Sequence, residues 1–468
     1  MRRFLVPVVF ALVAAACSVG VLRSLDPGLA GNRSGSVRAQ ATPVLSARRI
    51  PQELASLSAD GLLDQQLDAA MARLYPTSCG VAVSGGRVIY AHNPDVPLIP
   101  ASNEKLLTAT AALRTLGAAD RLRTIVEASA PDATGTIHGD VYLVGGGDPL
   151  LTTADYRATL ADPALATSLE TLADQIVAAR VKHVDGRVIG DESRYDSQRV
   201  VATWLPSYTS DHESGPLSAL TVNKGWGSFP SKANPRAPLA PSPDPAHTAA
   251  DDLTLLLAQR GVTVTGGTAS GPAPAGLPEL THLDSLPLSD ILREMLTESD
   301  DQTAELLLKE LGHSGGVGST ANGVVVLRRT LAAAGLDLAG TIQVDGSGLD
   351  RGNRATCRFL TSLLAVSGPL SPLSAGLPVA ARTGTLKDRF GNTPAAGRLR
   401  AKTGTLDDVS ALSGFVQTVP GGSVTFSFIT NGSPKTAPQA AAEIDFGVDL
   451  AGYPQGINVA LVGPVPER

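Results

Sequence analysis

The sequence predicts an α+β chain of more than one domain, in which an antiparallel sheet flanked by helices carries a large mixed α/β insert. Three observations lead there. Cys79–Val83 and Arg87–Tyr90 are apolar runs on either side of Ser84-Gly85-Gly86, a hairpin signal. A second strand pair, Ala411–Val419 and Ser423–Thr430, is joined through Pro420-Gly421-Gly422 towards the other end. Between them lie helical patterns, interrupted over about residues 123–285 by short strands, helices and a loop-rich stretch of a different character.

Taken in order, Arg2 and Arg3 precede an apolar run from Phe4 to Leu22 that Arg23 closes. Residues 1–23 therefore read as an export signal or a membrane anchor, with Pro7 and Ala14-Ala15-Ala16 favouring a cleavable signal. About residues 24–50, rich in Gly, Ser, Ala and Arg, form a linker. The first part of the main domain spans about residues 51–122, with a helical pattern over Pro51–Leu74, the hairpin, and a helix from Ser102 onward. In the insert, Thr136–Val144 reads as one strand running into Gly145-Gly146-Gly147-Asp148-Pro149, and Val181–Ile189 carries strand signals after a helix over roughly 165–180. Trp204–Pro245 is rich in Pro, Ser and Gly and reads as loop, followed by a helix over Asp252–Gln259. The second part of the main domain covers about residues 286–455, with helices over Leu288–Leu296, Ala304–Leu311, Gly323–Ala334 and Gln439–Leu450, and a Pro-rich tail over about 456–468.

Composition narrows the function classes. The 468 residues carry a net charge of −6 with 18% charged residues and no basic run, which argues against nucleic acid as a partner. The seven histidines are scattered and no Cys/His cluster has ligand spacing, so no metal or cofactor is expected. Beyond Cys17 only Cys79 and Cys357 remain. Outside the cytoplasm they could form one disulfide, but two separate buried thiols are the preferred reading.

Ser102-Asn103-Glu104-Lys105 is the only Ser-x-x-Lys in the chain. On a helix the i and i+3 positions share a face, so a hydroxyl and an amine meet near a helix N-terminus, where backbone N–H groups favour negative charge. This suits a serine nucleophile whose proton a lysine removes. A helix cap followed by a surface lysine is the competing reading. Lys402-Thr403-Gly404-Thr405 stands just before the C-terminal strand pair and offers a cation, two hydroxyls and a glycine that admits a ligand close to the backbone. It is preferred to its near-copy Arg382-Thr383-Gly384-Thr385 because a clear strand pair follows it. Ser299-Asp300-Asp301 lies at a pause between helices and, taken alone, reads as a helix cap rather than a catalytic motif. The order of the three elements is more specific than any one of them. Gly312-His313-Ser314-Gly315-Gly316 fits a nucleophile-elbow string but follows a helix, so it reads as a helix end stopped by glycine.

The chain resembles the penicillin-recognising serine D,D-peptidases, and within them the class C low-molecular-mass penicillin-binding proteins, the D-Ala-D-Ala carboxypeptidase/endopeptidase family. The likeness rests on Pro100–Thr108, Gly139–Pro149, Asp345-Gly346-Ser347-Gly348-Leu349 and Thr393–Leu406, and on the long insert, which β-lactamases lack. It implies a β-lactamase/transpeptidase-like fold, export to the cell envelope, peptidoglycan stem peptides as substrate and β-lactam antibiotics as acylating inhibitors. It also implies roles: Ser102 as nucleophile, Lys105 as its proton acceptor, Ser299 as proton shuttle to the leaving amine, and Lys402 as the third-motif lysine. Thr403 and Thr405, flanking Gly404, would hold the substrate carboxylate, and the backbone N–H groups of Ser102 and Thr405 would form the oxyanion hole. Asp148 and Arg351 match positions that bind the peptide side chain. One position departs from the pattern: Asp301 stands where the family has asparagine. A carboxylate cannot donate to a substrate carbonyl; it can pair with Lys105 or Lys402 and hold that lysine protonated. A catalytically weakened wall-binding protein on the same fold is therefore the alternative function, with a β-lactamase third.

Overall fold

A five-stranded antiparallel sheet is assembled from the two ends of the folded chain. The structure, a computed structural model, describes residues 50–74, 77–418, 421–432 and 437–454. Helix α1 (Ile50–Met71) leads into strands β1 (Ser78–Ser84) and β2 (Arg87–His92). Gly85 and Gly86 turn the chain between them at φ 57° and 81°, the doubly left-handed geometry of a two-residue hairpin turn. Helix α2 (Glu104–Thr115) follows. The insert contributes β3 (Arg123–Glu127), β4 (Val141–Val144), α3 (Leu169–Ala178), β5 (Val188–Asp191), α4 (Pro245–Gln259), β6 (Thr268–Ser270) and β7 (Glu279–Asp284). Then come α5 (Leu288–Glu298), α6 (Asp301–Ser314), α7 (Thr320–Ala333), α8 (Cys357–Ser367), β8 (Leu399–Leu406), β9 (Val409–Gln417), β10 (Ser423–Asn431) and α9 (Ala437–Gly452).

The main sheet runs β8-β9-β10-β1-β2, antiparallel throughout, which leaves β8 at an edge. Successive side chains of a strand point to opposite faces, and both faces here are covered. Val81, Ala411 and Ile429 pack with Leu107, Leu292, Leu307 and Leu360 of α2, α5, α6 and α8. Their neighbours Ala82, Leu412 and Phe428 pack with Leu67 of α1 and Phe446 of α9. Double coverage explains why β9 is buried along almost its whole length, its serines Ser410 and Ser413 included.

The insert builds its own five-stranded sheet, β6-β5-β4-β3-β7, parallel across its first three strands and antiparallel across the rest. Leu143, Val188, Leu172 and Leu253 are buried together between this sheet and α3 and α4. From Glu53 onward insert and main sheet belong to one compact unit. The insert grips α6: Arg194 donates to both oxygens of Glu310 at 2.8 and 2.6 Å, and the Tyr195 hydroxyl donates to the same carboxylate at 2.8 Å.

Several sequence expectations are corrected. The strand expected over Thr136–Val144 is two strands, Thr136–Ile137 and β4, which join different sheets. Gly139, at φ 125°, makes the break, and Asp140 accepts from the backbone of Arg187 at 2.8 Å. Val181–Ile189 is likewise cut into His183–Val184 and β5. Helix α4 begins at Pro245 rather than Asp252, because Asp244 caps it by accepting from His247 N and proline suits the first helical turn. Val344–Leu349, which reads in the sequence as a strand end turning into a loop, is loop throughout. The Gly-x-Ser-x-Gly string does lie at a helix end, as expected: α6 stops at Ser314 with Gly315 as its cap. The signal or anchor expected over 1–23, most of the linker and the tail lie outside the described residues; among those described, no helix is long and apolar enough to cross a membrane.

Cys79 and Cys357 are not separate thiols but a disulfide. It fastens the start of α8 to β1, two elements 278 residues apart in sequence, a separation that spacing alone could not turn into a pair. Closing so long a loop removes much of the unfolded chain's freedom, so Cys357→Ala is expected to lower the free energy of unfolding by about 2–5 kcal/mol. Denaturant titration of both proteins measures this, and equal midpoints would refute it.

Candidate active site

The site is assembled where α2, α6, β8 and the loop at 345–350 meet. Ser102 does not sit on α2 itself: Ala101–Asn103 form a 3₁₀ turn that precedes it. Ala101 is held at φ 47°, a left-handed conformation that costs a residue with a Cβ of the order of 1–3 kcal/mol. The turn is wedged between neighbours. A Cβ on Gly348 would lie 1.9 Å from the carbonyl oxygen of Ala101, and one on Gly404 would lie 2.7 Å from that of Pro100. Glycine at both places lets the loop and β8 close directly on the nucleophile's backbone.

Lys105, one helical turn on, is completely buried. Its Nζ donates to Ser102 Oγ at 3.0 Å, to Asp301 Oδ1 at 2.6 Å and to the carbonyl of Ser347 at 2.8 Å. The Ser347 carbonyl is fixed from behind, since Glu305 accepts from the backbone N–H groups of Gly346 and Ser347 at 2.9 and 2.8 Å. Burial, followed by the charge of Asp345, pushes the Glu305 carboxyl up to about 8.

Ser299 ends α5 at φ 65°, also left-handed. Asp300 caps α6 by accepting from Thr303 N at 2.6 Å, so the capping reading of this motif holds for its middle residue. Asp300 also pairs with Lys224 of the insert, which donates to Glu294 at 2.9 Å as well. Asp301 then opens α6 with its side chain on Lys105. Burial pushes the Asp301 carboxyl up to about 6, against the pull of Lys105. Of the two partners that the sequence left open for Asp301, the structure chooses Lys105.

The Lys-Thr-Gly motif lies within β8 rather than ahead of the strands. Lys402 is fully buried and donates to Ser299 Oγ at 2.8 Å and to the Thr403 carbonyl at 3.0 Å. Burial, followed by the charge of Lys105, pushes its amine well below the usual lysine range. Thr403 and Thr405 share the opposite face of this edge strand and line a cleft of about 630 Å³ together with Ser102, Ser299 and Asp301. Arg351 stands at its rim, donating to both oxygens of Asp408 at 2.7 and 2.9 Å. Asp148 does not line the cleft; it is buried in the insert and accepts from Leu150 N at 2.9 Å.

Sequence reasoning missed several cleft residues. Thr385, from the near-copy motif, accepts from the Thr403 hydroxyl at 2.8 Å and lines the cleft, so that copy is part of the site too. Tyr208, Asp211 and Glu213 reach the cleft from the loop-rich stretch of the insert; a loop without periodicity carries no signal of where it folds back.

A serine hydroxyl within hydrogen-bond reach of a buried lysine, beside a second serine–lysine pair and a strand edge with two threonines, defines a serine acyl-transfer centre of the penicillin-recognising type. Residues 62–226 and 226–450 match the D-Ala-D-Ala carboxypeptidase 3 (S13) family, and the chain belongs to that family. It is 32% identical to a D-alanyl-D-alanine carboxypeptidase of Actinomadura sp., over 94% of this chain and 96% of the relative. A carboxypeptidase of Mycobacterium tuberculosis is 33% identical over 74% of each chain. The fold is similar to that of penicillin-binding protein 4 from Haemophilus influenzae, at 21% identity and a TM-score of 0.68, covering 83% of this chain and 99% of that one.

Because Gly348 touches the nucleophile's own turn, Gly348→Ala is expected to displace Ser102 and to slow its acylation by a fluorescent penicillin about 100-fold in protein that remains folded by circular dichroism. A folded variant labelled at the wild-type rate would contradict this geometry.

Proposed function

We propose that the protein is a serine-type D-Ala-D-Ala carboxypeptidase that acts outside the cytoplasm on peptidoglycan stem peptides, through an acyl-enzyme at Ser102 that β-lactams also form. The observation that carries this reading is the contact between Lys105 Nζ and Ser102 Oγ, 3.0 Å, inside a buried network that continues to Asp301.

Lys105 Nζ is surrounded by Ser102 Oγ, Asp301 Oδ1 and the Ser347 carbonyl and forms an ion pair with Asp301. Lys402 makes two contacts, matching a neutral amine, the form its depressed pKa also favours. Lys105 becomes a base when it yields one proton to Asp301, 2.6 Å away. It then takes the Ser102 proton as Oγ attacks the carbonyl carbon of the penultimate D-Ala. The backbone N–H groups of Ser102 and Thr405 stabilise the tetrahedral oxyanion, by about 3 kcal/mol each. Ser299, bonded to Lys402, hands its proton to the leaving amine as the peptide bond breaks and D-Ala departs, and regains one from the proton that Lys105 took from Ser102, so that the Ser102 proton ends on the amine. The hydroxyls of Thr403 and Thr405 hold the terminal carboxylate, and Arg351 faces the remainder of the stem peptide. Water then attacks the ester and restores Ser102.

The Lys105–Asp301 ion pair also supports a second reading, a peptidoglycan-binding protein whose catalysis is weakened because its base is kept charged.

Ser102→Ala is expected to abolish D-Ala release from a pentapeptide ending in D-Ala-D-Ala, assayed with D-amino acid oxidase; release by the variant at the wild-type rate would end the proposal. Below about pH 6 the Asp301 carboxylate is protonated and can no longer accept a proton from Lys105. Acylation is therefore expected to fall as pH drops through about 6. In Asp301→Asn the carboxylate is gone, burial favours neutral Lys105, and acylation at pH 7 rises about tenfold with that acidic limb lost. A slower Asp301→Asn enzyme would mean that burial alone does not make Lys105 a base, and would remove the basis of the weakened-enzyme reading.

A further inference from the structure

Glu305 touches no reacting atom, yet it lies one helical turn beyond Asp301 on α6, on the same face. Asp301 meets Lys105 directly; Glu305 meets it through one residue of backbone. Its Oε1 accepts from the N–H groups of Gly346 and Ser347 at 2.9 and 2.8 Å, and the Ser347 carbonyl accepts from Lys105 Nζ at 2.8 Å. Among the described residues, Glu305 alone bonds these two N–H groups. The same segment is held from α2, where Thr108 donates to the Gly346 carbonyl at 2.8 Å. It also lies close against α6: a Cβ on Gly346 would stand 2.8 Å from the Ala304 carbonyl oxygen. A shift of Glu305 therefore reaches Lys105 across a single, tightly seated residue.

Three carboxyl groups meet here, and their surroundings differ. Asp345, in the loop, is completely buried and accepts from Trp204 Nε1, from Asn353 Nδ2 and from the N–H groups of Gly348 and Asp350, at 2.7–2.9 Å. Such donors stabilise a carboxylate. Glu104 of α2 and Glu305 of α6 are also completely buried, but among the described residues neither Glu104 oxygen nor Glu305 Oε2 has a partner. The charged groups facing this enclosure are Asp345 from the loop, Lys105 from α2 and Arg328 from α7; Arg328 is spent on Gln343, to which it donates. A carboxyl enclosed without a full set of donors, beside a carboxylate, favours its neutral form. Burial, followed by the charge of Asp345, pushes both glutamates up, Glu104 well above the usual range and Glu305 to about 8. At pH 7 Glu305 is thus an acid that keeps its proton while Oε1 holds the backbone.

We propose that Glu305 is a positioning residue for acylation: as a neutral acid it clamps the 346–347 backbone so that the Ser347 carbonyl directs Lys105 Nζ at Ser102 Oγ. The inference rests on the acyl-enzyme reading above. Ionised Glu305 sets a second negative charge beside Asp345 in the same enclosure. Repulsion between the two loosens the loop from α6, and the added charge favours Lys105 as the ammonium. Both effects slow the transfer of the Ser102 proton. The two acids of α6 therefore act with opposite sign: loss of the Asp301 proton switches the site on as pH rises through about 6, and loss of the Glu305 proton switches it off as pH rises through about 8.

The test follows the rate of acylation by a fluorescent penicillin over about pH 5 to 10 in the full chain and in its Glu305→Gln and Glu305→Leu variants. The wild type is expected to lose rate as pH rises through about 8. Glu305→Gln keeps an acceptor oxygen and cannot ionise, so its rate at pH 7 is expected within about threefold of the wild type, with the limb near 8 gone. Glu305→Leu offers no acceptor, and in protein folded by circular dichroism its acylation is expected to be about 100-fold slower at pH 7. Where Glu305→Leu does not fold, the Glu305→Gln profile decides alone. A wild type without the alkaline limb would overturn the inference, as would a limb unchanged in Glu305→Gln, a Glu305→Gln as slow at pH 7 as the leucine variant, or a folded Glu305→Leu labelled at the wild-type rate. A wild type that takes up no penicillin at any pH would instead overturn the acyl-enzyme reading itself.

Discussion

The rest of the site depends on burying one ammonium group. Lys105 is without solvent exposure, and its three donors are met by its own turn, by the first residue of α6 and by the 345–350 loop. Leaving a buried charge without one of its partners costs about 3–5 kcal/mol, so the three segments are held together by more than shape. The partners lie 196 and 242 residues away in sequence, and supplying them has visible costs. Ala101 and Ser299 both take left-handed backbone conformations, and Glu305 is buried with only one of its carboxylate oxygens bonded. Strain and unmet polar groups collect around the chemistry, as they do where a site is kept rigid against its own local preferences.

The insert takes part in that arrangement. Lys224 holds Asp300, whose cap sets the start of α6 and so the place of Asp301. Burial alone would push Asp300 up, but the Lys224 ammonium overcomes this and keeps it below the usual range, hence charged. Gln302 adds to the clamp by donating to the carbonyls of Pro216 and Lys224, both at 3.0 Å. A second charge pair thus stabilises the helix end that positions the first. The same loop-rich stretch brings Tyr208, Asp211 and Glu213 to the cleft, so the insert both braces the catalytic groups and shapes the approach to them.

Much of this was legible in the chain itself. The Gly85-Gly86 hairpin, the C-terminal strand pair and the helices that pack between them follow from periodicity and turn chemistry. Ser102, Lys105, Ser299 and Lys402 meet as the order of the motifs had indicated, and Asp301 departs from the pattern at the point where the structure makes an ion pair. What was not legible has a common cause: it depends on tertiary placement. The apolar run at 136–144 looks continuous, yet Gly139 divides it between two sheets. The Cys79–Cys357 disulfide joins residues whose separation says nothing about proximity. Thr385 sits in a motif that looked redundant until the fold placed it against Thr403. Asp148, matched by likeness to a substrate-binding position, is enclosed in the insert away from the cleft wall.

The central claim is that one serine of this chain, Ser102, becomes the acyl carrier. Peptide mapping by mass spectrometry of protein treated with benzylpenicillin tests it most directly. The expected result is a single penicilloyl adduct on the peptide containing Ser102, with the peptides containing Ser299 and Ser347 unmodified. An adduct confined to another residue, or none in folded protein, would contradict the account.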